Sequence, residues 1–228
     1  MIFHAHRCIF VHIPRTGGTS IENLLWPGPA ATRRAGDLWM GFVDEHHNKY
    51  QTGGLQHLFA AHIRTEVGAV VFSSYFKFTI VRNPWDKAVS QYIFMNKHEG
   101  LRDFIGMKQG DSFKRYLELI SRKAHVQWEP QVRFVRDSNG TLLVDYIGRY
   151  ENFSKSVFHV LRSLGLAATP IPHENRSNRG PYRDCYDHES KEMIAKLYAD
   201  DIEAFGYRYD QQGDPDETPA AHSGRQGR

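Results

Sequence analysis

The apolar run RCIFVHI at 7–13 stops at Pro14, turns through PRTGG and passes at once into a helical pattern. No other feature narrows the fold as much. Seven residues are too few for a helix, and this β-rich run reads as a buried strand. After the glycines, TSIENLLW at 19–26 places Ile21, Leu24 and Leu25 at helical spacing. The alternation recurs. FKFTIV at 76–81 is a second buried strand, and Asn83-Pro84 then opens a helix with Trp85, Ala88, Val89, Tyr92 and Ile93 on its apolar face. Asn suits the cap and Pro the first turn. LLVDYI at 142–147 reads as a third strand, followed by a helix with Phe153, Val157, Val160, Leu161 and Leu164 on one side. Further helices are expected over about 55–67, after a cap at Asp111, and from about Asp187. Strands alternating with helices predict an α/β domain with a central, mostly parallel sheet flanked by helices.

Composition bounds the rest. Hydrophobic residues make up 40% of the 228 and aromatics 13%, ample for one core. The stretch 210–228 has no Val, Ile, Leu, Met or aromatic residue. We therefore expect a single domain over 1–209 and a disordered tail over 210–228. The chain carries +3 overall and −2 over 210–228, which leaves +5 on 1–209. That modest excess favours an anionic ligand without the dense Lys/Arg clusters that nucleic acid demands. The two cysteines, Cys8 and Cys185, exclude a disulfide framework or a cysteine zinc site. No apolar run approaches the length of a membrane span, so a cytoplasmic protein is expected.

Two segments carry chemistry. The first is His12-Ile13-Pro14-Arg15-Thr16-Gly17-Gly18-Thr19-Ser20, a strand–loop–helix passage. Glycines let backbone approach a ligand, and amides at a helix start cradle an anion. Arg15 adds a fixed cation; Thr16, Thr19 and Ser20 add hydroxyls. The order differs from the nucleotide-hydrolase loop G-x-x-x-x-G-K-[ST], because the first glycine is missing and the cation precedes the glycines. The second segment is FTIVRNPWD at 78–86 with Ser90 beyond it. Arg82 ends a strand, where open α/β sheets place ligands, and Arg82 with Ser90 can offer a charged fork and a hydroxyl to one phosphate.

Together, HIPRTGGTS and IVRNPWDKAVSQY resemble the sulfotransferases that use 3′-phosphoadenosine 5′-phosphosulfate (PAPS). The likeness is greatest to the carbohydrate branch, which includes heparan sulfate 2-O- and chondroitin/dermatan sulfotransferases, and to its bacterial relatives. It continues through Gln56-His57-Leu58, DYIGRYEN at 145–152, His173-Glu174-Asn175, Tyr186-Asp187 and DIEAFGY at 201–207. The resemblance implies that Pro14, Arg15, Thr16, Gly17, Gly18, Thr19 and Ser20 hold the 5′-phosphosulfate, and Arg82 and Ser90 the 3′-phosphate. It also implies a nucleotide-covering loop with Arg176 or Arg179 near that phosphate. Many relatives carry Lys at the position of Arg15.

Sulfuryl transfer to a hydroxyl, here expected on a carbohydrate, needs a neutralised leaving phosphate and a general base. Arg15 and the Gly17–Thr19 amides suit the first role. Histidine titrates in the right range for the second. His57, which looks like the family's histidine at the start of a short helix, is favoured, with His62 as backup. No metal is expected, and the adjacent pair His46-His47 reads as solvated surface. The stretches 27–54 and 95–110, with Trp39, Tyr50, Lys97, Arg102 and Lys108, are the expected acceptor region. Two alternatives stand: a P-loop kinase of a small metabolite, and a nucleotide- or glycan-binding relative without turnover.

Overall fold

The computed structural model describes residues 1–26, 56–167 and 180–210. Arg176, Arg179, His46 and His47, the 27–54 part of the expected acceptor region and all of the expected tail beyond Asp210 lie outside them.

A four-stranded sheet forms the centre, in the order β1 (Ile2–Phe3), β2 (Cys8–Val11), β3 (Phe76–Val81), β4 (Tyr146–Arg149). β2, β3 and β4 run parallel, with Phe10 opposite Phe78 and Phe78 opposite Tyr146. β1 is an antiparallel edge, too short to be seen in the sequence; it pairs Phe3 with Cys8 across a single turn, His4–His6. A parallel sheet needs cover on both faces. On one face Ile9, Val11 and Val81 pack against α2 (Ala60–Val67), α3 (Ala69–Ser74), α7 (Gln131–Val135) and α10 (Ala199–Phe205). On the other, Phe10, Phe78 and Ile80 meet α1 (Gly18–Leu25) and α8 (Phe153–Ser163). A third cluster joins α4 (Pro84–Met95) to α5 (Glu99–Ile105), α6 (Phe113–Ile120) and α9 (His188–Leu197) around the fully buried Tyr116.

The α/β architecture agrees with the sequence; several boundaries differ. The third strand starts at Tyr146 rather than Leu142, because the Asp145 side chain turns back to accept from the Lys77 amide at 2.7 Å. The cap of α6 is Ser112, whose hydroxyl accepts from Arg115, while Asp111 closes the preceding turn onto the Lys108 amide. The last helical stretch breaks at Tyr198, whose hydroxyl is drawn inward to the Trp128 carbonyl at 2.8 Å. Asn83 does cap α4, accepting from Trp85 at 3.0 Å, with Pro84 in its first turn.

Candidate functional site

Because β2, β3 and β4 are parallel, their carboxyl ends deliver His12, Arg82 and Tyr150 to one edge. Each segment is then shaped locally. Thr16, fully buried, donates from Oγ1 to the Ile13 carbonyl at 2.8 Å and closes the turn after Pro14. Arg15 and Gly17 both take left-handed backbone, at φ 67° and 85°. α1 begins at Gly18 with no side-chain cap, so its first amides remain for a ligand. The glycines are required by packing as well as by φ. A Cβ at Gly17 would stand 2.6 Å from the Phe153 ring, and one at Gly18 only 1.9 Å from His12 Nε2. Within this loop Pro14 and Ser20 are buried and Thr19 is exposed.

Gly18→Ala tests that fit. His12 cannot swing aside cheaply, since its ring is stacked on Phe10 at 5.3 Å and pinned by Glu22. The expected cost is about 1–3 kcal/mol, the usual range for overpacking, read as a lower melting temperature. An unchanged melting temperature would show that the loop yields.

Arg82 is braced from behind. Its amide donates to Gln131 Oε1 at 2.9 Å, and Gln131 Nε2 returns a bond to the Arg82 carbonyl at 2.8 Å. Gln131 is held in turn by the buried Asp201 carboxylate at 2.8 Å. Beside it, the Asn83 amide donates to Glu151 at 2.6 Å, and Tyr207 donates to the same carboxylate at 3.1 Å. The guanidinium itself is 5% exposed as a residue and lies 4.0 Å over the Tyr150 ring. Nε and Nη2 donate to Asp86 at 2.8 Å, and Nη1 donates to the Arg15 carbonyl at 2.9 Å. Arg15 Nε donates to Ser90 Oγ at 3.2 Å, with its guanidinium 4.7 Å from the Phe94 ring. Arg15, Arg82 and Ser90 therefore meet, but Ser90 accepts from Arg15, while Arg82 uses Asp86 and the loop backbone.

His57 comes to the same loop. It lies in a turn ahead of α2, not within the helix, and it is half-buried with φ 59°. A β-carbon makes left-handed backbone costly, about 1–3 kcal/mol, and such residues gather at functional sites. Among the described residues the non-glycine examples are Arg7, Arg15 and His57, so two of three belong to this edge. His57 Nδ1 is 3.0 Å from the His12 carbonyl. A carbonyl only accepts, so Nδ1 carries the hydrogen and Nε2 the lone pair. Burial, then the neighbouring His12, holds the imidazole well below its ordinary 6.5, with the Arg15 charge adding to the effect. His62 sits elsewhere. Its ring stacks on Phe59 at 5.0 Å and lines a cavity of about 890 Å³ between α2, α7 and α10, with Arg64, Arg133 and Glu203.

The sulfotransferase family model matches residues 1–208. The chain belongs to the sulfotransferase family. An uncharacterised protein of Archaeoglobus fulgidus is 29% identical over 107 residues, covering 46% of this sulfotransferase and 79% of the archaeal chain. No solved structure matches. Among the described residues of this sulfotransferase no helix is long and apolar enough to cross a membrane.

Several residues of the sulfotransferase edge escaped the sequence reading. Asp86 carried a signal, since it is an acid in the first turn of α4, four residues after Arg82. Glu22 carried one too, lying one turn beyond Gly18 on the same face of α1. Tyr150 lay within the resembling segment 145–152 without an assigned role; Phe94 and Gln131 had no signal, because their contacts depend on how distant segments fold together. Arg102 donates to the Asn96 carbonyl at 2.8 Å and closes the end of α4. Lys97 and Lys108 are exposed.

Proposed function

We propose that this sulfotransferase moves the sulfuryl group of PAPS to an acceptor hydroxyl on a carbohydrate, in a cytoplasmic setting, with His57 as general base and Arg15 as the cation at the leaving group. One observation carries the reading. A cation and a neutral imidazole, both on left-handed backbone, are fixed to one glycine loop at the carboxyl edge of the sheet.

The residues fit the donor. The Gly17-Gly18 cradle leaves no room for a β-carbon, and the uncapped start of α1 with Arg15 suits the 5′-phosphosulfate. Among the described residues Arg82 commits three of its five N–H groups to Asp86 and Arg15, which leaves two for the 3′-phosphate. The donor supplies the sulfuryl group and a phosphate able to depart with the bridging oxygen. His57 Nε2 takes the acceptor's proton as the acceptor oxygen bonds to sulfur. Arg15 and the Gly17–Thr19 amides neutralise the charge that grows on the departing oxygen, so their stabilisation is largest in the transition state. Arg82 fixes the nucleotide and, through the Arg15 carbonyl, the loop itself. The carbohydrate acceptor rests on the likeness of HIPRTGGTS and IVRNPWDKAVSQY, continued through the later segments, to the carbohydrate branch.

Transfer of labelled sulfate from PAPS, screened across glycans, lipids and small alcohols, tests the proposal. Glycan labelling supports it. Labelled phosphate transfer from ATP instead would favour the kinase reading. The base also sets a pH signature. A histidine held below its ordinary range stays deprotonated further into acid, so the acid limb of kcat/KM should lie below pH 6.5. A limb at or above that value would exclude His57 in this environment.

A further inference from the structure

The mechanism above leaves one buried ionisable pair unused. Glu22 is 0% exposed and His12 4%, and Glu22 Oε1 lies 2.5 Å from His12 Nδ1. Carboxylates are almost never buried this fully without a specific partner. The pair lies against Gly18, Phe10, Gln56 and His57. Phe10 covers one side of the His12 ring, Nε2 fills the space at Gly18, and the edge of the ring meets His57 with centroids 4.4 Å apart at 63°. The backbone of the same residue receives the His57 Nδ1 hydrogen at 3.0 Å. Gln56, next to His57, donates to Glu22 Oε1 at 3.4 Å; the Glu22–His12 contact is a close ion pair, with neither Glu22 Oε2 nor His12 Nδ1 completing an aligned hydrogen bond among the described residues. Burial pushes the Glu22 carboxyl up, but His12, then the Met1 amino group and Gln56, more than reverse this and keep it below the ordinary range.

We infer that Glu22 and His12 are positioning residues for the base: the carboxylate fixes the His12 ring, and that ring, with its own carbonyl, holds His57 in the left-handed turn with Nδ1 protonated and Nε2 free. This rests on His57 being the base, as proposed above. The geometry says why the pair is placed there. Left-handed backbone persists where the surroundings over-determine it, and His12 provides His57 with both the hydrogen-bond acceptor and the packed ring edge. Gly18 and Glu22 lie one turn apart on α1, so the helix that starts the anion cradle also carries the anchor for the base. Donor site and base then share a single rigid support.

The test needs neither donor nor acceptor. Long-range proton–nitrogen correlation spectra of histidine-labelled protein report which ring nitrogen carries hydrogen, and the His57 signal is assigned by its loss in His57→Asn. In the unmodified protein a single Nδ1–H form of His57 is expected. Glu22→Gln keeps the shape but removes the charge that pins His12. His12→Asn keeps a donor toward Glu22 but removes the ring edge. Each should turn the single His57 form into an average of both tautomers. A folded variant of either kind that retains the single Nδ1–H signal overturns the inference and leaves the base assignment standing. An averaged His57 in the unmodified protein overturns the base geometry itself. Loss of folding in both variants would mark the pair as a strut of the fold, and that result also overturns the positioning role.

Discussion

His57→Asn should fold normally and transfer sulfate at least about a hundredfold more slowly, the lower range for loss of a general base. The substitution separates chemistry from structure unusually well. Asn tolerates left-handed backbone better than most residues, and its amide can donate to the His12 carbonyl as Nδ1 does. Only the lone pair at Nε2 disappears. The melting temperature should stay within a few degrees of the unmodified protein, and the acid limb of the pH profile should vanish with the base. A folded variant with unimpaired transfer would place the base elsewhere. His62 would then be tested next, although its ring faces the cavity between α2, α7 and α10.

Arg15→Ala should lower kcat at least about a hundredfold, as expected for one preorganised donor at a developing anion, with a smaller effect on donor binding. The structure sharpens the competing explanation. Arg15 also ties the loop to α4 through Ser90 and Phe94, so a purely structural role predicts lost stability instead. Arg15→Lys decides between them. Lysine restores the charge but neither the Nε bond to Ser90 nor the guanidinium's contact over the Phe94 ring. Recovery of kcat without recovery of melting temperature assigns Arg15 to the leaving group. Melting temperature and single-turnover transfer should therefore be read on the same samples of both variants. An unstable Arg15→Ala that transfers at the normal rate would sink the catalytic role.

How much of this was legible in the sequence depends on whether a contact is local. The turn from RCIFVHI through Gly17-Gly18 into α1 is written in adjacent residues, as is the Asn83 cap of α4. β1 was not legible, because two residues form a strand only when β2 is there to pair with them. The His57 backbone was missed for a related reason. Read alone, the stretch 55–67 has the composition of one helix, but the His12 carbonyl captures the His57 ring and holds the turn open until Ala60. Arg82 shows both sides. Its place at a strand end was plain, while its backbone is braced by Gln131 far along the chain, which Asp201 holds in turn, and the neighbouring Asn83 amide is held by Glu151. The DYIGRYEN and DIEAFGY segments, looser in their resemblance, supply Tyr150, Glu151, Asp201 and Tyr207 to that bracing.

The most direct test of the account is calorimetric titration of adenosine 3′,5′-bisphosphate into the unmodified protein and into Arg82→Ala, each compared with adenosine 5′-monophosphate. The bisphosphate should bind the unmodified protein more tightly, and Arg82→Ala should remove most of this preference while the monophosphate is less affected. Equal losses for the two nucleotides, or no preference for the bisphosphate at the outset, would contradict the account.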